Sequence, residues 1–312
     1  MLVYYHAKNT TFAPMEFSIV ISTYNNAASL ERTLESLAVQ NADKSVWECV
    51  VVNNNSTDDT AERVAAFAKV HSDLNIKLVD EPQQGLSHAR NRGIAESKGQ
   101  FVAFIDDDET VNEGFVSAYI DLFRNHGAFV GAGALKVHYE TARPKWMSHY
   151  TEKMIANPLD LGSEVTTISS TIMPTGGNMA FNREVFNLYG YFDTNLGRKG
   201  DELFGGEEND LFDRIRELGE RIYYTPYAIA YHHIADKKLT PEYFDKLSYG
   251  VGVSKRLRAE KRDTLEALCS DEHAKRRYAL LLATFYILTL RPQKASWLWR
   301  MRKGISKGIF EE

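Results

Sequence analysis

Three consecutive carboxylates, Asp106, Asp107 and Asp108, follow the apolar run Phe101-Val-Ala-Phe-Ile105. Adjacent like charges repel, so such a triplet is buried only where a cation or several hydrogen-bond donors compensate it. Carboxylate oxygens suit hard divalent ions such as Mg2+ or Mn2+, which bind few protein ligands and bridge to phosphate oxygens. Acids also favour the start of a helix, and the triplet alone leaves both readings open. A second cluster, Glu207, Glu208 and Asp210, follows Gly205 and Gly206. Its chemistry would be that of a general base, a carboxylate drawing the proton from an acceptor hydroxyl as that oxygen attacks an electrophilic carbon. The glycines would let backbone and substrate approach closely, although a helix start again accounts for the acids. His232 and His233 end a strand-like stretch, where neighbouring side chains point to opposite faces, so only one can join a site. Histidine is a common metal ligand, yet a strand-end histidine is usually structural.

These groups need a scaffold, and the first hundred residues supply one by alternating two periods. Apolar runs at 17–22 and 48–53 are each followed by a polar loop and then by a helical pattern. Helices are expected at 29–40, 58–71 and 87–97, a third strand at 76–80 and a fourth at 101–105. That order predicts βα units around a buried parallel sheet, with the acidic triplet at the carboxyl end of a central strand, where open α/β sheets bind ligands. A helix near 112–124 and a strand near 129–136 follow, and then regularity fades through 138–173. A glycine pair enters a short apolar segment at 175–183, a helix opens at 205–214, two short strands are expected at 221–224 and 228–231, and the pattern is helical from Thr240.

With 37 Lys and Arg against 42 Asp and Glu, the chain of 312 residues carries a formal charge of −5 and is 44% hydrophobic, the balance of an ordinary folded protein. Only Cys49 and Cys269 are present, which excludes a disulfide-stapled fold and fits a reducing compartment. Residues 1–14 lack the basic start and apolar core of a signal peptide. From residue 273 onward there are nine Lys and Arg against two Asp and Glu, which leaves −12 for the rest. Within this tail the apolar run 279–290 is too short to span a bilayer. Lys275, Arg276 and Arg277 precede it, and Arg291, Trp297, Trp299, Arg300, Arg302, Lys303 and Lys307 follow. Basic helices carrying Trp lie on anionic membranes, while a helix packed on the main domain with an exposed basic face would look the same. The acidic remainder of the chain argues against nucleic acid.

Taken together, the motifs resemble the family 2 glycosyltransferases of the GT-A fold. Ser18-Ile-Val-Ile-Ser-Thr-Tyr-Asn-Asn26 is similar to the family's opening strand and nucleotide loop, and Val52-Asn-Asn-Asn-Ser-Thr-Asp-Asp-Thr60 to its second. Gly85-Leu-Ser-His-Ala-Arg-Asn-Arg-Gly93, an Asp-X-Asp motif at 106–108, Gly176-Gly-Asn178, Gly206-Glu-Glu-Asn-Asp-Leu211 and His232 follow in the family's order, over roughly residues 15–235. The resemblance implies an α/β, mostly parallel mixed sheet flanked by helices with a helical C-terminal extension. It divides the chain into an N-terminal extension (1–14), a catalytic domain (15–238) and a basic extension (239–312).

The resemblance further implies that Thr23, Tyr24, Asn25 and Asn53 lie on the nucleotide, with Arg90, Asp106 and Asp107 on the donor side. Arg90 would approach the diphosphate or orient the acidic loop. Asp108, Asp106 and His232 would hold Mn2+ or Mg2+. Gly176, Gly177, Asn178 and Asp210 would border donor sugar and acceptor, and Glu208 would be the base, with Glu207 the nearby alternative. Two positions depart from the pattern. Asn53 stands where many members have an Asp for uracil, and its amide both accepts and donates; a UDP-sugar is still the favoured donor. Glu208 stands for an Asp, one methylene longer. The implied enzyme is a metal-dependent inverting transferase acting on a glycan or lipid-linked hydroxyl in bacterial surface polysaccharide synthesis. It would work in the cytoplasm, peripheral to the inner face of the plasma membrane. The competing readings are a nucleotidyltransferase acting on a sugar phosphate and a non-catalytic sugar-nucleotide-binding scaffold.

Overall fold

The computed structural model describes residues 15–200 and 202–311. The expected N-terminal extension and the reading of its first residues lie outside them. Strand β1 (Phe17–Thr23) pairs in parallel with β2 (Trp47–Asn53) on one side and β4 (Phe101–Asp106) on the other, and β2 pairs in parallel with β3 (Ile76–Asp80). Every residue of β2 is buried, as a strand covered by helices on both faces requires. The crossover helices are α1 (Ala27–Ala38), α2 (Thr60–Val70) and α3 (Leu86–Glu96). Leu30, Leu34 and Leu37 place α1's apolar stripe on the sheet.

Beyond β4 the sheet becomes mixed. Strand β8 (Met179–Asn182) runs antiparallel to both β4 and β6 (Val130–Tyr139), so β4 lies inside the sheet and the acidic triplet leaves from an interior strand. The helix start weighed for the triplet lies further on. Residues Glu109–Val111 form a short strand, β5, and the helix α4 (Phe115–Asn125) begins after it. In the other direction from β6 lies β9 (Ile222–Ile234), parallel to it and antiparallel to β5 in a register that sets Glu109 opposite His232. Two strands were expected where β9 is one. Pro226 suggests a break, but a register shift opposite Gly133 and Ala134 lets residues 226–228 bulge while the pairing resumes at Ile229.

The segment 138–173, which carries no readable period, contains α5 (His149–Ala156), opened by a capping box of Ser148 and Thr151, and the two-residue strand β7 (Thr166–Thr167) on β9. Helices α6 (Glu184–Tyr189) and α7 (Glu207–Glu217) complete the layer beside the mixed strands. The C-terminal helices α8 (Pro241–Lys261), α9 (Leu265–Leu288) and α10 (Pro292–Phe310) build a second core with α5, from Met147, Ile155, Ile234, Phe244, Leu298, Met301 and Ile305. A Cβ on Gly252 would stand 2.2 Å from the Ile305 carbonyl oxygen, and one on Gly308 2.3 Å from that of Tyr249, so α8 and α10 touch backbone to backbone. Part of the tail's basic, aromatic character is spent here. Trp297 stacks on Trp146 with ring centroids 3.6 Å apart, and Arg302 is buried against Glu272 at 2.6 Å.

Candidate active site

β4 ends at Asp106, and the two-residue turn Asp107-Asp108 that follows it sends the three side chains different ways. Asp107 turns inward and accepts hydrogen bonds from Thr23 Oγ1 at 2.7 Å and Asn26 Nδ2 at 2.8 Å. Burial and the neighbouring Asp108 charge push its carboxyl up to about 7, against those two donors. Asp106 and Asp108 turn the other way. Asp106 accepts from Arg90 at 3.2 Å and keeps 41% of its side chain exposed. Asp108 is bonded to the Lys238 ammonium, and its Oδ2 lies 3.7 Å from His232 Nε2. Burial works to raise its carboxyl, but Lys238 and His232 hold it well below the usual range.

The two histidines separate as a strand requires. His232 is nearly buried and faces Asp108, with Nε2 3.2 Å from Lys238 Nζ. His233 faces Thr110 at 2.9 Å and stacks near His138; burial, with Arg32 and His138, pushes its imidazole down to about 4. A divalent ion bound to oxygen ligands at about 2.0–2.1 Å spans a gap like that between Asp108 and His232. The ammonium already standing between them shows that the pair attracts a cation, so these residues fit a metal. Among the described residues no three or more His, Cys, Asp or Glu gather as a metal site. Phosphate and water oxygens would therefore complete the shell.

On the second cluster, Gly206 adopts a left-handed φ of 99° as the N-cap of α7, and the three acids radiate from the first turn. Glu207 is buried and accepts from Arg90 Nη1 at 2.6 Å. Burial and the charge of Glu208 push its carboxyl up to about 8, with Arg90 opposing. Asp210, expected near the sugar or acceptor, is instead fully buried among Arg214 at 3.0 Å, Arg262 at 3.1 Å and Lys261 at 3.2 Å. Glu208 alone of the three is half-buried, with Asn209 Nδ2 donating to it at 3.0 Å.

Arg90 joins the clusters. Its side chain is 3% exposed, packs on Phe192, and bonds Glu207, Asp106 and the Gly176 carbonyl. Of its two expected roles, orienting the acidic loop matches this burial better than touching a diphosphate. A Cβ on Gly177 would stand 2.2 Å from Glu109 Oε1, so that glycine makes room for a carboxyl that burial, Asp106 and Asp108 hold well above its usual range. Asn178 is fully buried, accepting from Tyr119 at 2.6 Å and donating to the Ala134 and Ala228 carbonyls, with its polar atoms turned into the sheet rather than toward a sugar.

At the opposite end of the cleft, Asn25 Oδ1 accepts from Thr57 N at 2.7 Å, tying the first loop to the second, and Tyr24 stands 39% exposed beside it. Asn53 donates to Asp80 at 3.0 Å and accepts from Ser56 N at 3.0 Å, so both edges of its amide are engaged. Sequence reasoning missed Asn26, Glu109, Lys238 and Arg198. Arg198 is exposed on the loop before α7. Desolvation works against its charge, while Tyr243, Asp106, Asp108 and Glu207 raise its guanidinium above the usual arginine value. Asn26 closes one quoted motif and Glu109 adjoins another; Lys238 and Arg198 lie in polar segments with no distinguishing pattern.

A mixed sheet that leaves its acids beside a loop-built cleft is the GT-A architecture. Residues 18–190 match the sequence model of the family described as Glycosyl transferase family 2. The chain belongs to that family and is a glycosyltransferase. It is 28% identical over 248 residues to the glucosyl-dolichyl phosphate glucuronosyltransferase of Haloferax volcanii, covering 78% of this chain and 77% of that one. To the succinoglycan biosynthesis protein ExoM of Rhizobium meliloti it is 27% identical over 251 residues, covering 79% and 76%. The solved mannosyltransferase PcManGT from Pyrobaculum calidifontis, in complex with GDP-Man and Mn2+, shares the fold at a TM-score of 0.65 and 18% identity, over 98% of this chain and 92% of that one.

Proposed function

We propose that this glycosyltransferase moves a sugar from a nucleotide-diphosphate donor, a UDP-sugar in first place, to a hydroxyl of a glycan or lipid-linked acceptor with inversion. The observation that carries the reading is the division of carboxylates: Asp108 faces His232 at 3.7 Å, while Glu208 alone of its cluster is left only half-buried. Glu208 takes the proton from the acceptor hydroxyl as its oxygen attacks the anomeric carbon. Asp108 and His232 hold a divalent ion, Mn2+ or Mg2+, which when bound supplies charge neutralisation to the diphosphate leaving group. Arg90 keeps the two acidic segments in register, Asp107 ties the first of them to Thr23 and Asn26, and Tyr24, with Asn25 and Thr23 behind it, borders the nucleotide.

Residues 15–238 form the catalytic domain in this reading and 239–312 its extension. The names of the Haloferax and Rhizobium relatives support a lipid-linked or polysaccharide acceptor. The tip of α9 supports a peripheral seat on the inner face of the plasma membrane: Leu280, Leu281, Phe285, Ile287, Leu288 and Leu290 are exposed, with Arg276, Arg277 and Arg291 at either end. Among the described residues no helix is long and apolar enough to cross a membrane.

Calorimetric titration with UDP, GDP, dTDP and CDP, with and without Mn2+, tests the donor site. One nucleotide should bind with Mn2+ and lose that binding in Asp108→Asn. No binding under any condition would overturn the reading. Sedimentation with anionic liposomes at low salt tests the seat, and a protein that stays in the supernatant would remove it.

A further inference from the structure

Lys238 is not among the residues that a search for acids and histidines finds, yet it occupies the centre of the site. It sits on the single turn Asp236–Leu239 between β9 and α8, with its side chain 12% exposed. Its ammonium bonds Asp108 Oδ2 and lies 3.2 Å from His232 Nε2. A largely buried carboxylate needs a counter-charge, and Lys238 supplies it. The two atoms it touches are those that would bind a metal, and they stand 3.7 Å apart. A divalent ion reaching both enters the space the ammonium holds, and two cations at that separation repel strongly. Lysine is suited to leave: its charge rides on a flexible four-carbon stem, so it can swing away without moving the backbone.

We propose that Lys238 is the resident cation of the Asp108–His232 pair, displaced when a divalent ion binds, and that it thereby sets the protein's affinity for free metal. The inference rests on reading that pair as the metal ligands. Affinity for a ligand falls with the fraction of molecules able to receive it, and the occupied state is the one that cannot. Free Mn2+ therefore binds weakly to the wild-type chain.

The test uses the full chain and Mn2+ alone, without nucleotide, followed by calorimetry and by the electron paramagnetic resonance of unbound Mn2+. K238M and K238Q should each bind Mn2+ about tenfold or more tightly than wild type. K238R, which keeps a cation in reach, should stay near the wild-type value. Thermal melts run alongside, and whichever of K238M and K238Q folds decides the matter. If neither change tightens binding while the added substitution Asp108→Asn still abolishes it, the displacement idea is overturned. If Asp108→Asn in the K238M background leaves Mn2+ binding intact, the metal pair itself is misassigned and the proposal falls with it.

Discussion

At the end of β4 three carboxylates run from the last strand residue through a two-residue turn, whereas at the start of α7 three are spread around a helical turn, and the two geometries divide their charges differently. The turn parts its acids: Asp107 goes to Thr23 and Asn26, Asp106 to Arg90 and Asp108 to Lys238. The helix turns about 100° per residue, sending Glu207 to Arg90 and Asp210 to the cations of α7 and α8, and leaving Glu208 between them half-buried. In both clusters most of the acids are engaged inward. A count of acidic residues overstates how many can meet a substrate, and Arg90 makes the two clusters one unit.

The sharpest contrast is between Glu208 and Asp108. Glu208→Gln should lower transfer by about 10³-fold or more while nucleotide affinity stays within about twofold, because only proton removal is lost. Asp108→Asn should abolish Mn2+-dependent nucleotide binding. Equal loss of binding in both would erase the distinction between the clusters. Next in size is the shared arginine: Arg90→Met removes the hydrogen bonds to Glu207, Asp106 and the Gly176 carbonyl, and denaturant unfolding should show a loss of about 1–3 kcal/mol. An Arg90→Met protein of wild-type stability would mean that the clusters stand independently.

Asp210→Asn sharpens the inward half of the second cluster. It should cost about 1–3 kcal/mol of stability through Arg214, Lys261 and Arg262, while leaving the Mn2+ dependence of nucleotide binding unchanged. The smallest effect belongs to the histidine that turns away from the first cluster. His233 is held neutral, with its imidazole lowered from 6.5 to about 4, so in that interval the unfolded chain binds more protons than the folded one. Its contribution is full above about 6.5 and is lost as pH falls toward 4. Asp107, Glu109 and Glu207, raised in the fold, slope the other way, so the readout is a difference: the melting temperature of His233→Gln relative to wild type should rise as pH falls across that window. An unchanged slope would mean that other groups carry the acid sensitivity.

The parallel half was readable because β1, β2 and β4 are buried apolar runs and each crossover is an amphipathic helix, signals that lie within a dozen residues of each other. The mixed half was less so. Pro226 reads as a strand end until β6 supplies the register shift that absorbs it. The short β5 follows three acids that resemble a helix start, and its pairing with β9 lies more than a hundred residues away. Helix α5 packs on the second core rather than on the sheet, so its apolar partners lie in distant helices; the Ser148–Thr151 box was its one local sign. At the site, residue types and order located the acids and His232. Which face each acid serves depends on Arg90, Lys238 and the α8 cations, whose contacts cross long sequence separations and leave no spacing to read.

The backbone contact between α8 and α10 carries a consequence for how such a chain can diverge. Even one added methyl group at Gly252 or Gly308 forces those helices apart. Gly250 of the same helix meets the Leu203 carbonyl on the segment that leads into α7, and Ser254 accepts from the amide of Gly205 at 2.8 Å. The extension is thus a gauge block set behind the segment that leads to Glu208. The exposed end of α9 can drift in length and composition from one descendant to the next, giving an open route to new surroundings. The glycine seam offers no such route: altering it disturbs the segment that leads to Glu208.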